Sequence, residues 1–193
     1  DPDHFGFLIA DASGHSIAAT MVAIMSRIAF SDVAGTTTSP GAVLSTMNVR
    51  LQGLADERFV TAFYGVLDWR NGVLIFSNAG HNPPLVYGVD GLKRIESGGM
   101  PVGLFEFAPY SVDSLQLKPG DTMVFYSDGV TEAHNVAGEE FGEERLVDVM
   151  KRTSQSSGDV VLQEIIAAVQ DFARGAEQYD DVTALVVKYT GPK

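Results

Sequence analysis

The sequence contains no cysteine and only one tryptophan. The lack of cysteine excludes disulfide cross-links, thiolate metal sites and a cysteine nucleophile, and it fits a reducing compartment such as the cytoplasm. Basic residues are also scarce, with 13 Lys and Arg against 25 Asp and Glu and a formal net charge of -12. Because a nucleic-acid-binding domain needs a cationic face, this class is disfavoured, whereas a domain that holds cations fits the charge.

Long apolar runs are missing as well. No stretch reaches the ~18 residues that a membrane-spanning helix needs. The chain also shows no basic segment followed by a cleavage site, which a secretory signal would have. We therefore expect a cytoplasmic protein with no membrane segment. Its 193 residues, 45% of them hydrophobic, match the size and core of one globular domain.

The first part of the chain predicts a strand followed by two helices. The apolar run Phe5–Ala10 is short and strand-like. Apolar residues then recur near helical spacing over His15–Val33, and Gly35 supplies a stop signal. A second helix is expected over Ser39–Leu54, with Ser39 as its N-cap and a proline at its first position.

The remainder is richer in strands. We expect strands over Phe59–Leu67, Val73–Phe76, Leu85–Tyr87, Leu92–Ile95, Ser111–Leu117, Thr122–Tyr126 and Val182–Tyr189, and helices over Glu143–Arg152 and Asp159–Arg174. The helices should place Met21, Met25, Met47 and Met150 in the core. Because strands and helices do not alternate strictly, a parallel doubly wound sheet is disfavoured. The pattern predicts an α+β fold, an α-β-β-α sandwich of two mainly antiparallel sheets with helix pairs outside.

Aspartates stand at three predicted strand ends. Asp11 follows the first strand, Asp128 follows Thr122–Tyr126 after one serine, and Asp180 and Asp181 precede the last strand. Since the start of one antiparallel strand lies beside the end of its neighbour, these positions could meet at one edge. Two carboxylates ~4 Å apart repel by about 4 kcal/mol at an effective dielectric constant near 20, so such a cluster calls for a cation.

The type of ion follows from the ligands. Carboxylate oxygens without thiolates select hard ions such as Mg²⁺ or Mn²⁺, and a carboxylate that bridges two ions roughly 3.5–4 Å apart suits a hydrolase. The alternative is that these aspartates are ordinary turn residues. Of Asp180 and Asp181 only one can face the site, because successive strand side chains point to opposite faces.

Six segments occur in one order along the chain: Asp11–His15, Phe59–Asp68, Ser77–Pro84, Tyr126–Ala133, Glu139–Leu146 and Asp180–Thr183. Their content and order resemble the metal-dependent protein phosphatase family (PPM, type 2C-like). Within that family they resemble the bacterial branch of sporulation-protein-E and sigma-regulator phosphatases. The resemblance extends from about Phe5 to Tyr189.

The resemblance implies hydrolysis of phosphoserine or phosphothreonine on proteins with two Mn²⁺ or Mg²⁺ ions. By position, Asp11 would bridge the ions, and the backbone carbonyl of Ala12 would help to hold the first. Asp128 and Asp181 would hold the second ion, and the family pattern selects Asp181 over Asp180. The nucleophile would be a metal-bridging water, which agrees with the missing cysteine.

The family usually has a Gly-Gly-Asp segment on an earlier strand, whose aspartate supports the first metal. Residues 1–193 are therefore expected to form one PPM-type phosphatase domain that lacks this N-terminal strand. For this chain alone we expect weaker metal occupancy and low activity.

The resemblance also implies the kind of protein and pathway in which this chain works. The chain would be the output domain of a bacterial signalling protein, attached to an upstream sensor or receiver domain. Its substrate would be a phosphorylated regulator, such as an anti-sigma-factor antagonist, in a stress-response pathway, and its first two helices would switch activity through partner or dimer contacts. A homodimer remains open, whereas nucleic-acid and membrane partners are not expected. The alternative is a catalytically silent partner-binding module on the same fold.

The segment Asn78–Pro84 contains His81. A tight turn, with Gly80 at positive φ and prolines ending the strand, is the favoured interpretation. A role of His81 as general acid or phosphate contact is the alternative.

Overall fold

A computed structural model describes residues 2–14, 16–53, 58–96, 98–178 and 180–192. Within these ranges the chain forms eight strands and five helices: β1 (His4–Ala12), α1 (Ile17–Val33), α2 (Pro40–Leu51), β2 (Val60–Asp68), β3 (Val73–Ala79), β4 (Leu85–Gly88), β5 (Gly91–Arg94), β6 (Asp113–Gln116), β7 (Thr122–Tyr126), α3 (Asp128–Thr131), α4 (Gly142–Arg152), α5 (Gly158–Phe172) and β8 (Ala184–Lys188). They group into two compact units. The first is built mainly from Asp1–His81 and Ser97–Leu117, and the second from Asn82–Glu96 and Lys118–Gly191.

The first unit is an antiparallel sheet in the order β1-β2-β3-β6 with the helix pair α1 and α2. Ser16 and Ser39 cap the two helices through their side chains, and Pro40 occupies the first turn of α2 as predicted. The predicted helix ends at His15 and Leu54 lie outside the described residues.

The core of this unit forms between one face of the sheet and the helices. Alternate residues of β2, from Val60 to Val66, contribute to a cluster with Val43, Leu44 and Met47 of α2. On the other face, Phe63 stacks on Phe76 with ring centroids 5.3 Å apart.

Helix α1 is apolar on more than one side. Val22 and Ala29 are buried, but the side chains of Ile17, Met21, Ile24 and Ile28 are all more than half exposed. The prediction that Met21 lies in the core was therefore wrong, whereas Met47 and Met150 are buried as expected.

The second unit is an antiparallel sheet in the order β5-β4-β7-β8. Its core cluster joins Val124 and Tyr126 of β7 to apolar residues of α4 and α5 such as Leu146 and Ile165. The predicted α+β class, with two antiparallel sheets and two helix pairs, is confirmed. The short helical turn α3 was not predicted. No helix in the described part of the chain is both long and apolar enough to cross a bilayer.

Candidate active site

Asp11 lies near the C-terminal end of β1, at the solvent-exposed edge of a buried sheet face. It shares a strand face with Phe7 and Ile9, which are buried, while Asp11 itself is exposed. In the β1–β2 register Asp11 stands directly opposite Thr61. The alternation of the strand therefore presents this carboxylate at the rim of the sheet.

The backbone just after Asp11 is held firmly against β2. The Ser13 N–H donates to the Phe59 carbonyl oxygen at 2.9 Å, and the Ser13 hydroxyl accepts from the Phe59 N–H at 3.0 Å. Ala12, which lies between Asp11 and Ser13 in the sequence, packs against the core of the first unit. These contacts fix the path of the chain at the two positions that the family pattern assigns to the first metal.

His81 belongs to a tight turn, as predicted. Gly80 has a φ of 73°, and the Asn78 side chain accepts from the His81 N–H at 2.8 Å and donates to the His81 carbonyl at 2.9 Å. The His81 ring is buried, and its Nδ1 lies 3.0 Å from the Thr61 Oγ1. Because Thr61 is the strand partner of Asp11, His81 lies at the same rim as Asp11.

Asp128 and Asp181 lie together at one edge of the second sheet. The Ser127 hydroxyl donates to the Asp181 carbonyl oxygen at 3.0 Å, and the Ser127 N–H donates to the Thr183 carbonyl at 3.0 Å. Gly129 approaches the backbone of Asp181 so closely that a Cβ at this position would collide with the Asp181 carbonyl oxygen. Both chain neighbours of Asp128 thus contact the Asp181 segment, which places these two predicted ligands side by side.

The two adjacent aspartates at the start of the last strand differ in their contacts. The Asp180 carboxylate accepts from the Asp181 N–H at 2.7 Å, so it is turned toward its own backbone. Asp181 is exposed, and its carbonyl is the one that Ser127 holds. These contacts agree with the choice of Asp181 over Asp180, which stays a prediction.

Strand β7, which leads to Asp128, ends at Tyr126, and the phenol of Tyr126 is neutral and hydrogen-bonded. The Tyr126 hydroxyl donates to the Glu143 carboxylate at 3.0 Å, and Arg94 pairs with the same carboxylate at 2.8 Å. Burial, reinforced by the Glu143 charge, raises the pKa of Tyr126 far above its ordinary value. This network fixes the end of β7, and its two charged groups, Arg94 and Glu143, pair with each other.

The donor set fits a divalent cation. Asp128 and Asp181 supply two carboxylates at one edge, and no described Lys or Arg forms an ion pair with either. Two carboxylates on adjoining segments add to a negative potential that favours a bound cation. Asp11 belongs to the first unit and the other two to the second. Among the described residues no group of three or more His, Asp or Glu forms a metal-binding cluster, so the convergence of all three aspartates stays a prediction.

Comparison with known proteins connects these motifs to one family. The family model described as Stage II sporulation protein E (SpoIIE) matches residues 1–190. Protein IcfG of Synechocystis sp. (strain ATCC 27184 / PCC 6803 / Kazusa) is 35% identical over 133 residues, which cover 67% of this chain and 20% of that protein. Phosphoserine phosphatase RsbU of Bacillus subtilis is 26% identical over 193 residues, 97% of this chain and 56% of that protein.

Solved structures share the fold. The SiaA-PP2C domain of Pseudomonas aeruginosa superposes with a TM-score of 0.86 at 20% sequence identity, covering 98% of this chain and 77% of that one. Nearly all of the chain therefore adopts a PP2C fold. The chain spans about half or less of the length of the two curated relatives, IcfG and RsbU.

Proposed function

Because the chain belongs to the SpoIIE family, as the order of its motifs predicts, we propose that it hydrolyses phosphoserine or phosphothreonine on a regulatory protein. By family and fold it is a PP2C-type phosphatase domain. The observation that carries the proposal is the contact of Ser127 and Gly129 with Asp181, which joins the Asp128 turn to the start of the last strand.

Metal ligation is assigned residue by residue from the family pattern. Asp11 and the Ala12 carbonyl would hold the first Mn²⁺ or Mg²⁺, Asp11 would bridge to the second, and Asp128 and Asp181 would complete the second site. When bound, such ions supply the Lewis acidity that makes water a nucleophile near neutral pH. All these donors are oxygens, which matches the preference of both ions.

The residues of this chain have a positioning task. Ser127 and Gly129 hold Asp181 beside Asp128, and Ser13 holds the chain after Asp11 against β2. Preorganised carboxylates of this kind do not have to be gathered at the moment of reaction, which favours catalysis. With no cysteine in the chain, a thiol nucleophile is excluded.

The substrate class is proposed from the relatives. RsbU is named a phosphoserine phosphatase, which supports a phosphoserine substrate. The resemblance of the motifs extends the proposal to a phosphoserine or phosphothreonine regulator of the anti-sigma-factor-antagonist type in a cytoplasmic stress response. The exposed residues Ile17, Ile24 and Ile28 of α1 support a covering partner there, either an upstream sensor or receiver domain or a second copy.

The test is turnover of p-nitrophenyl phosphate by metal-free protein titrated with Mn²⁺. We expect rates that rise with Mn²⁺, collapse with chelator and fall at least about 100-fold in Asp128→Asn, since even changes behind a metal ligand cost 10–100-fold. The control Asp148→Asn removes an exposed α4 carboxylate that pairs with nearby Lys151, and it should stay within about twofold.

A different outcome would contradict the proposal. If no Mn²⁺-dependent turnover appears with p-nitrophenyl phosphate or with phosphopeptides, while partner binding persists in chelator, the domain is a catalytically silent binding module.

A further inference from the structure

A cavity of about 270 Å³ lies in the second unit beside the Asp128–Asp181 edge. Its lining includes Gly129, Asp180 and Val182, so the cavity begins one residue away from both predicted metal-binding aspartates. It is small for a metabolite-binding cleft and suits a single side chain.

The inner surface of the cavity is apolar. Val169, which is buried, comes from the last turn of α5, Ala173 follows the end of that helix, and Val182 also lines the cavity. An aliphatic chain could lie along this surface and lose contact with water, as the stems of Lys and Arg commonly do.

Half of the polar residues that line the cavity are acidic. Glu132, Glu177 and Asp180 all contribute to it, and all three are exposed. His134 is the only lining residue among those described that can carry a positive charge, and no described Lys or Arg pairs with the three carboxylates.

The helix that borders the cavity adds to this preference. Helix α5 has 15 residues, ends at Phe172 and has no basic residue in its last turn, and Arg174, just beyond the helix, pairs with Asp171. The carbonyl end of a helix carries partial negative charge, which favours a cation near Val169 and Ala173.

We propose that this cavity receives an Arg or Lys side chain of the phosphoprotein substrate, a few residues from the phosphorylated one. The inference rests on the proposed phosphatase function and names a specificity site for it. The alkyl stem lies on Val169 and Val182, and the cationic head reaches Glu177 and Glu132. The adjacent Asp128–Asp181 edge then receives the phosphoresidue.

The test uses phosphoserine peptides with one Arg scanned from four residues before to four residues after the phosphoserine. Each peptide is matched to one with citrulline, which is neutral but similar in shape. We expect the Arg peptide at one or two positions to have a KM about threefold to tenfold lower, with kcat unchanged, as partly exposed ion pairs allow. Glu177→Gln combined with Glu132→Gln should abolish this preference, whereas Glu144→Gln, an exposed acid of α4 away from the cavity, should keep it.

A binding measurement separates this inference from the phosphatase proposal. In metal-free protein, the methyl NMR signals of Val169 and Val182 should shift with the Arg peptide and not with the citrulline peptide. Such shifts, combined with no turnover of the same peptides after Mn²⁺ is added, would support the cavity while rejecting the phosphatase function. Turnover with equal KM for every Arg and citrulline pair, or a preference that survives the double substitution, would overturn the cavity assignment alone.

Discussion

The Ser127 hydroxyl joins two segments that are far apart in sequence: it donates to the Asp181 carbonyl and accepts from the Thr183 N–H, both at 3.0 Å. Ser127 is only 4% exposed, so water cannot readily replace its hydroxyl. We predict that Ser127→Ala lowers the free energy of unfolding by about 1–3 kcal/mol, because it leaves two partly buried backbone groups without their partner. It should also weaken Mn²⁺ binding, since Asp181 loses its anchor. Urea denaturation and Mn²⁺ titration measure the two effects.

The control for this prediction is Thr46→Ala. The Thr46 hydroxyl bonds only the Ala42 carbonyl of its own helix at an exposed position, so its loss should change the unfolding free energy by no more than about 0.5 kcal/mol. Equal destabilisation by the two substitutions would show that the Ser127 bridge contributes nothing particular.

Asp180 and Asp181 should respond differently to the same change. We predict that Asp181→Asn reduces Mn²⁺ affinity by at least about tenfold, because it removes a charged ligand. Asp180→Asn should change the affinity by less than threefold, since the Asp180 side chain already accepts from the Asp181 N–H and an amide oxygen can do the same. Calorimetric titration with Mn²⁺ checks both, and the reverse order of effects would assign the ligand to Asp180.

Local signals explain what the sequence could predict. The Ser39-Pro40 start of α2 was confirmed because a cap and its proline act within one helical turn. The turn at Gly80 was confirmed because a glycine with positive φ leaves a local signature.

Other features could not be predicted from the sequence, because they depend on contacts between residues that are far apart along the chain. The pairing of β6 with β3, and of β7 with β4 and β8, places two consecutive strands in different sheets, and the turn between them gives no sign of this. The contact of His81 with Thr61 spans 20 residues and has no local pattern. Met21 was misassigned because apolar residues surround much of α1, so periodicity alone does not tell its buried side from its exposed one.

The Asn78 side chain should be important for the turn that carries His81. It makes two buried hydrogen bonds to the His81 backbone, at 2.8 and 2.9 Å. We predict that Asn78→Ala costs about 2–3 kcal/mol of unfolding free energy, since it removes both bonds and opens a small cavity. Thermal and urea unfolding check the value. Asn71→Ala, which removes an exposed bond to Asp68, is the matched control and should cost less than about 1 kcal/mol.

Tyr110 should make the stability of the domain sensitive to alkaline pH. Its side chain is buried, its hydroxyl donates to the Pro101 carbonyl at 3.5 Å, and burial raises its pKa from 10.0 to about 12. In the unfolded chain this phenol ionises near its ordinary pKa, so above that pH the unfolded state releases a proton that the folded state keeps. The Tyr110 contribution is therefore complete below about pH 10 and is lost as the pH rises toward 12, at up to about 1.4 kcal/mol per pH unit.

Urea denaturation of the parent chain and Tyr110→Phe between pH 9 and 12 isolates this contribution from that of the other tyrosines. Phenylalanine keeps the packing of the ring in the core cluster of the first unit and cannot ionise, so the stability of the variant should fall less steeply over this range. The gap between the two curves should change by at least about 1 kcal/mol between pH 9.5 and 11.5. Parallel curves would mean that the Tyr110 phenol ionises in the folded protein as readily as in the unfolded chain, and that the loop carrying it opens to solvent at alkaline pH.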